Sequence, residues 1–218
     1  RRLGHHERPR RQLARQRRLA LVDVTCSAAT TAHVLSHWDE LPPQLDALRT
    51  HTRLVTVTIG GNDLGYIGGL LSASCKALSL EASLAGRPCG RAQLPDAAAY
   101  EQVASALRAI AAQVRARAPV ARLVFVDYAT VLPAAAPCER TPLTVADAVV
   151  AREIAAQLEQ ITAVVAQAVG ADLLAASSVT REHHACAAEP WINGFTRPGP
   201  NATRAAYHPN LAGMTAVA

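Results

Sequence analysis

The chain has 218 residues, half of them hydrophobic, with a formal net charge of +5 and a mean hydropathy of +0.10. That length allows one domain with a true core, and the composition excludes a disordered polyelectrolyte. No run of 18 or more apolar residues occurs, so no membrane-spanning helix is expected.

The charge is unevenly placed. Residues 1–18, "RRLGHHERPRRQLARQRR", hold eight Arg and one Glu, whereas the remainder holds 14 basic and 16 acidic residues, a net −2. The basic residues are 21 Arg and the single Lys76, the bias of a GC-rich coding sequence, so the choice of Arg carries little functional weight. Such a run can bind nucleic acid or an anionic surface. No aromatics interleave it and no recognition-helix pattern follows it, so residues 1–18 read as a solvated tail and no nucleic-acid partner is expected. The start has neither Met nor the apolar region of a signal peptide and reads as processed or truncated.

The elements alternate. "LALVDVTC" (19–26) is a short apolar, β-branched run and predicts a buried strand; "SAATTAHVLSHW" predicts a turn and a helix start. "RLVTVTI" (53–59) is apolar or β-branched on both faces and suits a central parallel strand. Residues 68–95, with Gly, Pro and two cysteines, predict irregular structure. Residues 96–119 predict an amphipathic helix, with Asp96 as cap, Pro119 beyond its end, and one stripe of Val103, Leu107, Ile110 and Val114. "ARLVFVDY" (121–128) is a third strand. Residues 141–170 predict a second long helix with Ile154, Leu158, Ile161 and Val165 inward and Gly170 as its stop. "ADLLAAS" (171–177) is a fourth strand, a loop-rich stretch follows from 178, and "LAGMTAVA" begins a final helix. Strands alternating with helices predict one α/β domain with a parallel sheet and helices on both faces. Functional residues in such sheets gather at the carboxyl ends of the strands.

Two features stand at those ends: "CSAATT" (26–31) and "IGGNDLGY" (59–66). A third, "YHPNLAG" (207–213), follows the last strand. A turn accounts for Gly60 and Gly61 but not for the amide of Asn62 at a strand end. Among the five cysteines, Cys26, Cys75, Cys89, Cys138 and Cys186, no CxxC pair occurs, which argues against zinc or thioredoxin-like sites. Two disulfides and an odd cysteine fit an exported protein, and five reduced buried thiols are the alternative. His183, His184 and Cys186 cluster without a metal-ligand spacing and read as loop residues, so neither a metal nor another cofactor is expected. "NAT" (201–203) is a glycosylation sequon only in a host that glycosylates.

Taken in order, the three blocks resemble the SGNH (GDSL-type) hydrolases, esterases and lipases with a flavodoxin-like sheet. The resemblance is closest to the secreted actinobacterial branch. It covers about residues 19–218 and leaves 1–18 outside. "DVTCSAATT" is similar to the second block of the family, "IGGNDLGY" to the third, and "YHPNLAG" to the last, which carries the catalytic His. The resemblance implies a three-layer α/β/α domain and a secreted, monomeric enzyme acting on small-molecule or lipid esters. Ester hydrolysis passes through a tetrahedral oxyanion and needs preorganised N–H donors. The resemblance assigns these to the Asn62 side chain and the backbone N–H of Ala28, where the family usually has Gly. An alanine there is crowded if φ is positive. Gly60 and Gly61 are expected to clear space for substrate, and Trp191 either lines its pocket or packs. His208 is the expected base. The family often places an Asp three residues earlier to orient this His. Ala205 stands there, so a carbonyl, of Ala205 or Ala206, is expected to hold Nδ1–H in a dyad. The resemblance also pairs Cys75 with Cys89 and Cys138 with Cys186, and leaves Cys26 without a partner.

One block is missing. The family nucleophile is a Ser in a Gly-Asp-Ser block on the first strand, and no such tripeptide occurs in the chain. Ser27 does not match the nucleophile position. The absent serine and the odd Cys26 together imply a lost N-terminal piece, and with it the first, central strand. The chain alone is then expected to be poorly stable and inactive on esters. Two other readings compete: a non-catalytic remnant that binds acyl or carbohydrate ligands, and a nucleic-acid binder working through its basic tail.

Overall fold

A computed structural model describes residues 9–80, 83–84, 87–197 and 204–218. Its elements in chain order are α1 (Pro9–Arg17), α2 (Thr31–Leu35), a 3-10 turn (Gln44–Ala47), β1 (Leu54–Val57) and α3 (Tyr66–Ala77). They continue through a short hairpin, β2 (Ser83–Leu84) with β3 (Arg87–Pro88), to α4 (Ala97–Arg117), β4 (Arg122–Val126) and α5 (Val145–Val169). β5 (Asp172–Leu174), α6 (Ala176–Val179), a 3-10 turn (Arg181–His183) and α7 (Leu211–Ala216) complete it.

β1, β4 and β5 form a parallel sheet in that order, with Val55 opposite Leu123 and Phe125 opposite Leu173. α4 and α5 connect neighbouring parallel strands in one direction and pack against each other, as the right-handed rule for such crossovers, which puts both on one face, leads one to expect. Val103, Leu107, Ile110 and Val114 of α4 are buried, as are Ile154, Leu158 and Val165 of α5. Ile161 is only half-buried, and Thr162 takes the inward position beside it, its hydroxyl donating to the Leu158 carbonyl at 2.7 Å. The caps follow the sequence. Asp96 accepts from the Ala99 N–H, Thr144 from the Asp147 N–H, and Gly170 ends α5 at φ 62°.

The sheet differs from expectation at its β1 side. Residues 19–26 form no strand, and Leu19, Leu21, Val22 and Val24 are exposed. Asp23 instead accepts from the backbone and hydroxyl of Thr25, a local turn contact that competes with a ladder. β1 is consequently an edge strand among the described residues, not the central one its composition suggested, and its Thr56 is exposed. A parallel strand holds its place through neighbouring strands, and residues 19–26 pair with no strand among the described residues.

Residues 68–77, part of the stretch 68–95 expected to be irregular, belong to the helix α3, with Gly68 and Gly69 inside it. Buried Leu70, Ala73 and Cys75 hold it to the core despite the low helix propensity of glycine. Residues 9–17, expected to belong to a solvated tail, are helical, and α1 packs against α7. Both cysteine pairings occur, Cys75–Cys89 and Cys138–Cys186, and Cys26 is a free, exposed thiol. No helix among the described residues is long and apolar enough to cross a membrane. The sequon residues 201–203 lie outside the described residues.

Candidate active site

The glycine turn joins β1 to α3. Gly60 has φ +108°, a conformation L side chains rarely adopt. A Cβ there would meet Val103 and Leu158 at 3.0 and 3.1 Å. A Cβ on Gly61 would lie 2.7 Å from the Tyr128 ring. Both glycines therefore make room for core side chains of the protein, where space for substrate was expected. The Gly61 N–H donates to the Tyr128 hydroxyl at 2.9 Å. Burial pushes the Tyr128 phenol up to about 12, against the lowering effect of that hydrogen bond, so it stays neutral.

The turn then ties itself to the second block. Asn62 Nδ2 donates to the Ala29 carbonyl at 2.9 Å. Both carboxylate oxygens of Asp63 accept from the Thr31 N–H at 3.1 Å, and one also accepts from the Thr31 hydroxyl at 2.5 Å. A primary amide carries two N–H donors. One of them donates to Ala29, and the side chain is exposed. Ala28 adopts φ +65°, the left-handed conformation that makes glycine the easier residue there. Its N–H has no hydrogen-bond partner among the described residues, and Ser27 beside it is exposed.

His208 is exposed, and its Nδ1 lies 2.7 Å from the Ala206 carbonyl. Of the two carbonyls expected, that of Ala206 is the one Nδ1 reaches, and Tyr207, between Ala206 and His208, has φ +60°. With Nδ1–H donating, Nε2 carries the free lone pair. A second strand of chain straps this loop. Asn193 N–H donates to the His208 carbonyl at 2.9 Å, Tyr207 N–H to the Asn193 carbonyl at 3.2 Å, and Asn193 Nδ2 to the Ala205 carbonyl at 3.1 Å. The Tyr207 hydroxyl and Ser74 Oγ are hydrogen-bonded at 2.5 Å.

Trp191 belongs to the same strap through its backbone, which accepts from the Asn210 N–H at 2.8 Å. Its ring stacks on His183 with centroids 3.6 Å apart and planes 6° from parallel. His184 Nδ1 accepts from the Cys186 N–H, and Cys186 is in its disulfide, so these side chains are engaged in loop structure. Two concavities lie nearby, one of about 370 Å³ lined by Val24, Trp38, Leu41 and Pro42, and one of about 510 Å³ lined by Tyr66, Tyr128, Leu132 and Arg152. Asn62 and His208 line neither.

The structure thus joins Asn62 to the second block and His208 to α3. Sequence reasoning missed Tyr128, Asp63, Thr31, Ser74 and Tyr207. Asp63 and Thr31 sat inside the quoted blocks, but their pairing spans 32 residues and leaves no local pattern.

The model of the GDSL-like lipase/acylhydrolase family matches residues 3–216. "Lipase 2" of Streptomyces coelicolor is 36% identical over 174 residues, 77% of this chain and 59% of that protein. A "Lipase" of Streptomyces rimosus is 26% identical over 192 residues, 87% of this chain and 64% of that protein. The chain therefore spans about three fifths of the length of these curated relatives. Among solved structures, a phospholipase A1 from Streptomyces albidoflavus superimposes with a TM-score of 0.72 at 23% identity, covering 97% of this chain and 83% of that one. An extracellular lipase from Streptomyces rimosus gives 0.71 at 21% identity, covering 96% and 82%. At these identities the likeness is one of fold.

Proposed function

The chain belongs to the GDSL-like lipase/acylhydrolase family, and from that premise we propose that it carries the base and the oxyanion donors of an acyl-ester hydrolase. Asn62 Nδ2 and the Ala28 N–H donate to the oxyanion that forms when a nucleophile adds to the ester carbonyl. His208 Nε2 takes the nucleophile's proton and passes it to the departing alkoxide. The Ala206 carbonyl holds Nδ1–H meanwhile, standing in for an orienting carboxylate. Water, deprotonated by the same Nε2, then releases the acid. Supporting this assignment is the bond from Asn62 Nδ2 to the Ala29 carbonyl, which fixes one amide hydrogen and leaves the other and the adjacent Ala28 N–H open. A donor that needs no reorganisation is worth about 10²–10³ in rate.

The Gly-Asp-Ser block in which the family resemblance puts the nucleophile does not occur in the chain, and buried Ser74 and Ser177 are engaged with Tyr207 and Asp127. The chain by itself is therefore proposed to be inactive on esters. Its two disulfides and the extracellular relative favour a secreted setting.

A titration with a short-chain carboxylate such as butyrate, which presents an oxyanion without needing a nucleophile, tests the donors. The side-chain amide of Asn62 and the backbone amide of Ala28 are expected to shift together in 1H–15N spectra. Unmoved signals at both would sink the oxyanion assignment. p-Nitrophenyl butyrate should stay intact with this chain, and turnover that His208→Ala abolishes would overturn the proposed inactivity. The absent serine also favours a second reading, a remnant that binds acyl or carbohydrate ligands without cleaving them. Saturable binding of a fatty acid or sugar that leaves Asn62 and Ala28 unshifted would select it.

A further inference from the structure

The loop that carries His208 is held by two buried groups that take no part in the chemistry above. Tyr207 is 1% exposed and has φ +60°, a left-handed backbone that is a genuine outlier for a bulky residue. Strain of this kind persists only where the surroundings over-determine it, and it clusters at functional positions. The surroundings here are specific. The phenol is hydrogen-bonded to Ser74 Oγ at 2.5 Å, and Ser74 is 0% exposed, so the pair is sealed from water. Burial pushes the phenol up to about 12, which keeps it neutral. The ring also meets Phe195 at a centroid distance of 6.3 Å.

Tyr207 sits between the two groups that must meet. Its φ and ψ, together with the φ and side-chain torsions of His208, set the direction of the Ala206 carbonyl relative to the His208 imidazole, and the carbonyl oxygen and Nδ1 lie 2.7 Å apart. A right-handed or extended Tyr207 would swing that carbonyl away from Nδ1. Ser74, the other end of the anchor, is on α3, and α3 begins directly after the turn that bears Asn62. One helix thus anchors the loop of the base and continues from the turn of the donor.

We propose that Tyr207 is a positioning residue for His208: its buried ring and its bond to Ser74 hold the backbone left-handed, and this keeps the imidazole in the Nδ1–H tautomer with Nε2 free. The proposal rests on the reading of His208 as base, yet its test needs no turnover.

Long-range 1H–15N spectra of the 15N-histidine-labelled chain distinguish the two neutral tautomers of His208. Wild type is expected to show Nδ1–H as the main form. Tyr207→Phe, which loses only the hydroxyl, and Ser74→Ala, which loses only its partner, should each lower that population at least twofold. The double variant should lower it no further, because both changes remove one bond. A population unchanged in both single variants, with only the melting temperature reduced, would show a merely structural role and overturn the proposal. So would a change in one variant alone. Where Tyr207→Phe fails to fold, Ser74→Ala, in which the ring stays, decides by itself. Failure of the proposed function would look different: the Nδ1–H form and its dependence on Ser74 intact, with no response of Asn62 or Ala28 to butyrate.

Discussion

Three single residues carry consequences out of proportion to their size. Ala28 holds φ +65° in the turn that presents its N–H, and the left-handed region costs a residue with a Cβ about 1 kcal/mol. Ala28→Gly is therefore expected to stabilise the chain by about 1 kcal/mol, less whatever glycine adds to the freedom of the unfolded chain. A denaturant midpoint that does not rise would mean the turn is already relaxed. Gly61 is the opposite case. Its missing Cβ leaves the place that the Tyr128 ring fills at 2.7 Å, so Gly61→Ala must push the ring or the turn. A loss of about 1–3 kcal/mol is expected, together with a shift of the Asn62 side-chain amide signal. Gly60 is required by its backbone as well as by its neighbours, which is why two adjacent glycines precede Asn62.

The elements depend on caps and staples that act on different states. Thr144 caps α5 by accepting from the Asp147 N–H and donating to the Asp147 carboxylate at 2.5 Å. Asp147 is itself buried and accepts from the Ala92 N–H at 3.0 Å, which ties the loop before α4 to the start of α5. Thr144→Ala should cost about 1–2 kcal/mol, at the upper end for a cap, because the buried carboxylate also loses the hydroxyl that donates to its second oxygen. The disulfides act mainly on the unfolded chain. Cys138–Cys186 closes a separation of 48 residues and Cys75–Cys89 one of 14. Loop-closure entropy then predicts about 4 kcal/mol lost on replacing the first pair with alanine and about 3 for the second. Equilibrium unfolding of the two double variants gives the comparison, and equal losses would point to native-state effects. The second bridge has a further interest, since Cys75 adjoins the Ser74 that anchors Tyr207.

At the scale of the molecule, two properties follow from what is buried and what is not. Tyr66, Tyr128 and Tyr207 are all raised by burial, the last two to about 12. In the unfolded chain their phenols ionise near 10, so between pH 10 and 12 the unfolded state gives up its protons first. Stability is fully present below pH 10 and falls as pH rises through that window, by up to about 1.4 kcal/mol per pH unit for each tyrosine. Tyr207→Phe should flatten the alkaline limb of a plot of stability against pH, and an unchanged limb would count against the burial of that phenol. The second property is the open edge of β1 beside exposed Leu19, Leu21, Val22 and Val24. The isolated chain is expected to bind the apolar dye ANS in native buffer and to melt below the range of roughly 45–65 °C common for mesophile domains. Leu21→Lys with Val22→Lys should cut the dye signal by about half while leaving the melting temperature nearly unchanged. A signal that persists would place the sticky surface elsewhere.

The sequence alone determined whatever depends on local periodicity or on short blocks. The stripes of α4 and α5 were legible because side chains three and four apart share a helix face. The cap at Asp96, the stop at Gly170 and the parallel sheet were legible from local residue types and their alternation; the cap at Thr144, inside the expected helix 141–170, was not. The blocks holding Asn62, Ala28 and His208 were legible only through their order along the chain, which carries the resemblance to the family; each alone is weak, and the left-handed backbone of Ala28 is a fact of the structure. Residues 19–26 were misread for a related reason. A short apolar, β-branched run shows that a segment can be a strand, but only a neighbouring ladder makes it one, and the neighbour is a tertiary fact. α3 was hidden by Gly68 and Gly69, whose cost is met by core packing that no window of sequence displays. The tertiary structure alone decided which carbonyl faces His208, that Gly61 yields its space to Tyr128 across 67 residues, and that Tyr207 reaches Ser74 across 133. Contacts of that span are made by the packing of distant elements, so their residues look ordinary until the chain has closed around them.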